Sequence, residues 1–288
     1  MTSASVLNRL IHAPEIVVMP GVFDAFSAKL AEQAGFPAVQ CSGAAISGVH
    51  FGRPDYSMIS MEEMAACTAR IVRSVTVPVM ADGDNGFGNA VSTHYTVQAF
   101  EAAGAAGINL EDQITPKRCG HLDGKHILDI HEATSKIQAA AEARTDPDFV
   151  INARTDALAV EGIDGAVRRG NAYLDAGATM IFVEGVTSRD EISQAVSRIN
   201  GPVAVNVIEG GKSPHRLTFG ELQNLGVARV SLPAALLLAA LAGMRSALDR
   251  IRADDGTAGL GELLLPFREA HDLIGMRDIE DLEKRYLA

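Results

Sequence analysis

Short apolar runs rich in β-branched residues recur along the chain at 15–19, 38–42, 77–81, 107–111, 149–153, 180–184, 203–207 and 228–232. Their hydrophobicity is continuous rather than alternating, which suits strands buried on both faces. Between them lie amphipathic stretches of helical period at 25–33, 61–72, 92–103, 130–143, 165–176, 189–199 and 218–225. Several end just before a glycine (Gly35, Gly104, Gly177, Gly226), the residue that lets a helix stop in the left-handed conformation. With 234–251 as the last helix, eight strand–helix units in series predict an α/β fold of the (β/α)8 TIM-barrel type. Further helical patterns at 260–274 and 278–287 follow the eighth unit. They divide the chain into a catalytic barrel, 1–256, and a C-terminal helical extension, 257–288, read as an oligomerisation element.

Composition narrows the partners. A net charge of −11 disfavours a general nucleic-acid surface, although local cations can still hold an anionic small molecule. Cys41, Cys67 and Cys119 stand far apart, with neither metal-ligand spacing nor a disulfide framework, which predicts a reducing compartment. The first ten residues lack a basic region followed by a long apolar run, and the apolar stretch 232–242 is short and interrupted by Pro233. The expectation is a cytoplasmic protein acting on a small molecule, with no nucleic acid and no membrane.

A parallel barrel builds its active site at the C-terminal ends of its strands. Those ends carry Ser42-Gly43-Ala44, Asp82-Gly83-Asp84-Asn85-Gly86, Glu111-Asp112-Gln113, Arg154-Thr155-Asp156, Glu184-Gly185, and Asn206 followed by Glu209. Asp82, Asp84 and Glu111 form an all-oxygen cluster that suits Mg²⁺, or Mn²⁺, over Zn²⁺. Three carboxylates on one rim repel unless a cation is present, although Asp-Gly is also a common turn. Ser42 and Gly43 offer a hydroxyl and backbone N–H groups, or simply a tight turn. Arg154 reads as a bidentate carboxylate clamp or as the partner of Asp156 or Glu184. Glu184 would position substrate or shape the metal site, and Asn206 would bond a substrate oxygen. Past the fourth strand comes Lys117-Arg118-Cys119-Gly120-His121. Flanking cations favour a thiolate, and a nearby imidazole can exchange a proton with it.

These motifs, with Pro20-Gly21-Val22-Phe23-Asp24, Pro54-Asp55-Tyr56, Phe87-Gly88-Asn89 and Asn206-Val207-Ile208-Glu209-Gly210-Gly211, resemble the isocitrate lyase/phosphoenolpyruvate mutase superfamily in its short-chain lyase branch. The resemblance spans nearly the whole barrel, in order. It implies Mg²⁺ at the site, a mobile loop carrying Lys117 to His121, and a homotetramer with C-terminal helices exchanged between subunits. Cys119 implies a lyase that cleaves a carbon–carbon bond in a 2-hydroxy di- or tricarboxylate, of the substituted-malate or 2-methylisocitrate type, to a 2-oxo acid such as pyruvate. Cys119 would protonate the departing carbanion, supported by Lys117, Arg118, His121 and Glu184. Phe23, Ser42, Gly43, Ala44, Asp55, Arg154, Asn206 and Ala235 would bind substrate, and Asp55, Glu184 or hydroxide would serve as base. Gly83 and Asn85 depart from the family's Ala and Thr, and Asn85 is expected to add a polar group beside the metal. Ala235 stands where the oxaloacetate-hydrolysing members place Ser, which argues against that reaction and for an apolar pocket wall. Oxaloacetate hydrolysis or decarboxylation, phosphonate mutation and non-catalytic carboxylate binding are the alternatives.

Overall fold

Eight parallel strands close into a barrel in chain order: β1 (Val17–Val22), β2 (Val39–Cys41), β3 (Val79–Asp82), β4 (Gly107–Glu111), β5 (Val150–Thr155), β6 (Met180–Val183), β7 (Val203–Asn206) and β8 (Arg229–Leu232). Closure is made by β1 against β8, with Val17 opposite Arg229 and Pro20 opposite Leu232. The computed structural model describes residues 1–118, 120, 124–208, 210–211, 213–214 and 216–287. Most strands fall within a residue or two of the apolar runs. The first is displaced toward the C-terminus, because pairing on both sides (Val17 with Arg229, Gly21 with Gln40) carries it through Pro20 and Gly21.

Around the barrel run α2 (Ala25–Gln33), α4 (Met61–Ser74), α5 (Ala90–Ala102), α6 (Ile130–Ala143), α7 (Leu158–Asp175), α8 (Arg189–Arg198), α9 (Phe219–Asn224) and α10 (Ala235–Asp254). Capping boxes open α4, α8 and α9, at Ser60 with Glu63, Ser188 with Glu191 and Thr218 with Glu221. Each cap is worth about 1 kcal/mol. Two further helices escaped the periodicity. One is α3 (Gly43–Phe51), described with the site below, and the other is α1 (Ser3–Ile11). The trailing pattern at 260–274 is also not one helix. A 3-10 turn (Ala258–Leu263) and α11 (Phe267–Leu273) are separated ahead of Pro266, whose ring disfavours helix at the residue before it. The chain closes with α12 (Met276–Tyr286).

Strand alternation sorts the apolar residues into two cores. Val39, Cys41, Val79, Ala81, Ile108, Leu110, Ile151, Ala153, Ile181, Val183, Val203 and Val205 pack outward beneath the helices. Val17, Met19, Met80, Val150, Met180, Phe182 and Ala204 pack inside the barrel with Leu7 and Ile11 of α1. Those partners lie toward the strands' N-terminal ends, so α1 plugs that mouth. Asn8 and Thr2 fasten it to Asp148 and Asp146, just ahead of β5. Continuing the inward alternation toward the C-terminal mouth gives Gln40, Asp82, Asn109, Glu111, Asn152, Arg154, Glu184, Asn206 and Ser231. Apart from Arg229, buried against Met19 and Phe182, the barrel interior therefore changes from apolar to polar along its axis.

Candidate active site

The C-terminal mouth encloses a cavity of about 80 Å³, lined among others by Ser42, Gly43, Ala44, Asp55, Asp82, Asp84, Glu111, Lys117, Gly120, Arg154, Glu184 and Asn206. Residues scattered over most of the chain thus meet in one place, as the strand ends predict. Phe23, Arg118 and Ala235 are not brought to the cavity wall. Phe23 belongs to the outer core and its carbonyl accepts from His50 Nε2 at 2.8 Å. The Arg118 guanidinium stacks over Tyr56 at 5.8 Å. Ala235 begins α10, and the cavity is closed there by Ser231 and Pro233 instead. Cys119 and His121, together with Glu209, lie outside the described residues.

β3 ends in Asp82, and the chain turns through Gly83 because a Cβ there would stand 2.8 Å from the Asn109 carbonyl oxygen and 2.6 Å from Ile108 Cδ1. Asp84 follows in the left-handed conformation, φ 46°, held by its N–H donating to Asp82 Oδ1 (3.1 Å) and its carbonyl accepting from the Glu111 N–H (2.9 Å). Gly43 opens α3 and donates its N–H to Asp82 Oδ2 (2.9 Å), so a helix N-terminus faces that carboxylate. A Cβ at 43 would come within 2.5 Å of the same oxygen, which leaves glycine as the residue that fits. The Ser42 hydroxyl accepts from the Ala45 N–H as the helix cap. The Gly43 N–H is thereby committed to Asp82, whereas the Ser42 hydroxyl, which accepts here, lines the cavity with its O–H still able to donate. The Asn85 amide turns from the cavity and donates to Thr115 Oγ1 (2.8 Å) and the Gln113 carbonyl (3.3 Å). Asn85 thereby pins the segment leading to Lys117.

Lys117 Nζ lies between Asp55 and Asp84, 2.8 Å from the latter. Burial pushes Asp84 up, to about 6, even with that ammonium beside it. Burial also raises Glu111 well above the usual carboxylate range, against the pull of Arg154 and Lys117. Burial alone would lower Lys117, but Asp84, Glu111, Asp55 and Asp82 outweigh it and hold the ammonium well above its ordinary value. Arg154 is anchored by Asp156, through Nε (2.9 Å) and Nη2 (3.1 Å). Its Nη1 stands 3.4 Å from Glu111 and 3.5 Å from Glu184. The ion-pair reading of Arg154 is the one observed, with Asp156 as its main partner, and the guanidinium also lines the cavity. Glu184 also accepts from Asn206 Nδ2 at 3.1 Å.

Sequence reasoning missed the support behind Arg154. Asp112 accepts from the Thr155 hydroxyl, the Asp156 N–H and the Tyr173 hydroxyl at 2.8–2.9 Å, which fixes the end of β5. Lys125 donates to Asp156 Oδ1 (2.8 Å) and to the Gly120 carbonyl (2.7 Å), tying the Lys117–Gly120 segment to the arginine's anchor. A buried lysine shortly after the loop motif was the available signal. Gly120 approaches so closely that a Cβ would stand 2.5 Å from the Glu184 carboxyl and would also meet Arg154.

The chemistry of this donor set bears on a cation. Among the described residues no three Asp, Glu, His or Cys side chains converge as a closed metal cage. Asp82, Asp84 and Glu111 nevertheless line one cavity, and Glu111 Oε1 is buried with no hydrogen-bond partner among the described residues. A buried carboxylate oxygen without a donor is costly, and a partly hydrated Mg²⁺ needs only one or two carboxylates. The residues present fit such an ion.

A family model described as phosphoenolpyruvate phosphomutase matches residues 7–252. The chain is 41% identical to 2,3-dimethylmalate lyase of Eubacterium barkeri, over 99% of each chain. It is 41% identical to 2-methylisocitrate lyase of Aeropyrum pernix, over 96% of this chain and 88% of that protein. Among solved structures, 2,3-dimethylmalate lyase superposes with a TM-score of 0.92 at 33% identity, covering 99% of this chain and 95% of that one. Phosphonopyruvate hydrolase bound to oxalate and Mg²⁺ superposes with a TM-score of 0.90 at 35% identity, covering all of both chains.

Proposed function

From a chain that belongs to the phosphoenolpyruvate phosphomutase family, within the PEP mutase/isocitrate lyase superfamily, we propose a carbon–carbon bond lyase of the oxo-acid type. It cleaves a 2-hydroxy di- or tricarboxylate, a substituted malate or 2-methylisocitrate type, to a 2-oxo acid such as pyruvate and a second carboxylate. The observation that carries this reading is the meeting of Asp82, Asp84 and Glu111 with Arg154 and Lys117 on one small cavity. Such a site supplies both carboxylates for a divalent cation and cations for an acid substrate.

We assign Asp82, Asp84 and Glu111 to hold Mg²⁺, with Mn²⁺ as a substitute, directly or through water. When bound, the ion supplies Lewis-acid polarisation of the 2-hydroxyl and its neighbouring carboxylate. Arg154, fixed by Asp156, holds the carboxylate on which charge develops, and Lys117 offsets the remainder. Glu184 or Asp55 takes the hydroxyl proton. The O–H electron pair becomes the new C=O bond, the C2–C3 bond breaks, and its pair passes to the carboxylate-stabilised carbanion. Gly120 lets the backbone settle against Arg154 and Glu184, and the adjacent Cys119 thiol then protonates the carbanion. His121 returns a proton to the thiolate. We further assign 257–288 to oligomerisation, as part of a homotetramer. Exposed Leu238, Leu241, Met244 and Leu248 on α10, and Leu263, Leu264, Leu265 and Phe267 beyond it, support a face covered by other subunits. A cytoplasmic location fits the free, buried Cys41 and Cys67, and among the described residues no helix is long and apolar enough to cross a membrane.

The test is 2-oxo acid release from substituted malates and 2-methylisocitrate, with Mg²⁺ and with a chelator. Metal-dependent release that Cys119→Ser abolishes supports the reading. Silence on these acids with turnover of oxaloacetate, or a carbon–phosphorus product seen by phosphorus NMR, would replace it.

A further inference from the structure

The inner wall of the cavity carries a group that the proposed chemistry leaves idle. Gln40 stands on β2 between Gly21 of β1 and Met80 of β3, and lines the cavity with Asn109 and Ser231. Its side chain is 5% exposed, and Oε1 is buried with no hydrogen-bond partner among the described residues. Asn109 differs, because its Oδ1 already accepts from Asn152 Nδ2 at 2.5 Å. A buried amide forgoes solvent hydrogen bonds and keeps that loss unless a ligand replaces them. The groups common to every 2-hydroxy diacid already have partners in the proposed chemistry: Arg154 and Lys117 for carboxylates, the acidic cluster with its cation for the hydroxyl. What remains for Gln40 is the substituent that distinguishes one such acid from another.

We propose that Gln40 is a specificity-determining residue, and that the preferred substrate carries a hydrogen-bonding substituent, a hydroxyl in the simplest case, next to the carbon bearing the 2-hydroxyl. This rests on the lyase reading and names the substrate class within it. A hydroxyl both donates and accepts, so it satisfies the amide whichever way the O and N of Gln40 are oriented. A methyl group of similar size fits the space and leaves the amide unpaired. Sites built to bond a polar substituent reject the isostere lacking it far more strongly than apolar pockets discriminate by size. Ser231, 2% exposed on the same wall, adds a hydroxyl to this polar floor. The alkyl preference inferred from Ala235 loses its footing, because Ala235 is not on the wall.

The deciding experiment is calorimetric binding of two isosteric acids in the presence of Mg²⁺. Each tartrate stereoisomer, a malate with a hydroxyl at C3, is paired with the 3-methylmalate of the same configuration. The wild-type protein is expected to bind at least one tartrate about 5- to 100-fold more tightly than its methyl counterpart. Gln40→Leu should reduce that ratio to within about twofold of unity or invert it. A wild-type protein that prefers the methyl acid, or a ratio that Gln40→Leu leaves unchanged, overturns the inference while the lyase reading stands. Binding of neither acid overturns the inference, and the lyase reading falls with it only if 2-methylisocitrate and the other substituted malates release no 2-oxo acid either. Should Gln40→Leu fail to fold, the wild-type ratio alone decides.

Discussion

Replacing Gly120 by alanine adds one methyl group at the most crowded point of the site. The new Cβ would lie 2.5 Å from both Cδ and Oε1 of Glu184, where ordinary contact begins near 3.4 Å, and would also meet Arg154. Relief requires a shift of about 1 Å, and the neighbours cannot supply it cheaply. Arg154 is fixed by two hydrogen bonds to Asp156, and Glu184 is bonded to Asn206 and fully buried. The backbone at residue 120 must therefore move, loosening the Lys125 bond to its carbonyl and carrying the proposed acid Cys119 with it. Overpacking costs about 1–3 kcal/mol in stability, whereas a 1 Å displacement of a reacting group costs about 10²-fold in rate. The assay is pyruvate release coupled to NADH oxidation, with urea unfolding in parallel. A kcat loss of about 10²-fold with an intact unfolding transition is expected. Gly261→Ala is the control, since a Cβ there meets nothing within 4 Å. A Gly120→Ala enzyme within twofold of wild-type kcat would refute the argument that the backbone must approach Arg154 and Glu184 so closely.

Lys125→Met removes the ammonium that joins the Gly120 carbonyl to Asp156, so it should cost about 2–3 kcal/mol in urea unfolding and lower kcat more than it raises KM. A loss under about 1 kcal/mol with unchanged kcat would make this bond incidental. Because Asp84 is raised to about 6 and a metal prefers its ionised form, Mg²⁺ affinity should rise with pH through that value. Calorimetry should find it about tenfold weaker at pH 5 than at pH 7, and equal affinities would remove Asp84 from the ligand set. Burial pushes the Cys41 thiol up to about 12 and raises Cys67 as well, so both should stay silent to a thiol-disulfide reagent at pH 8 until the protein is denatured. Native-state labelling at either residue, read by peptide mass, would contradict the packing of that core.

The sequence by itself determined the barrel and the rim on which its chemistry lies. Continuous apolar runs are a local property of doubly buried strands, and eight of them closed the sheet as expected. Strand direction then brings Asp82, Glu111, Arg154, Glu184 and Asn206 to one mouth without further information, because every parallel strand ends on the same side. Side-chain orientation and partner choice were decided only by the tertiary structure. Asn85 follows Asp84 directly in the sequence, yet with Asp84 at positive φ its amide is directed to Thr115. α1 was hidden because its apolar face is short and its partners are the bottoms of distant strands. In the sequence Gln40 is one polar residue within the apolar run 38–42. Only barrel closure reveals that position as the inside of a cavity, where an amide oxygen without a partner among the described residues supports the proposed choice of substrate. Local sequence encodes which elements form, whereas an unmet hydrogen bond is a property of everything that surrounds it.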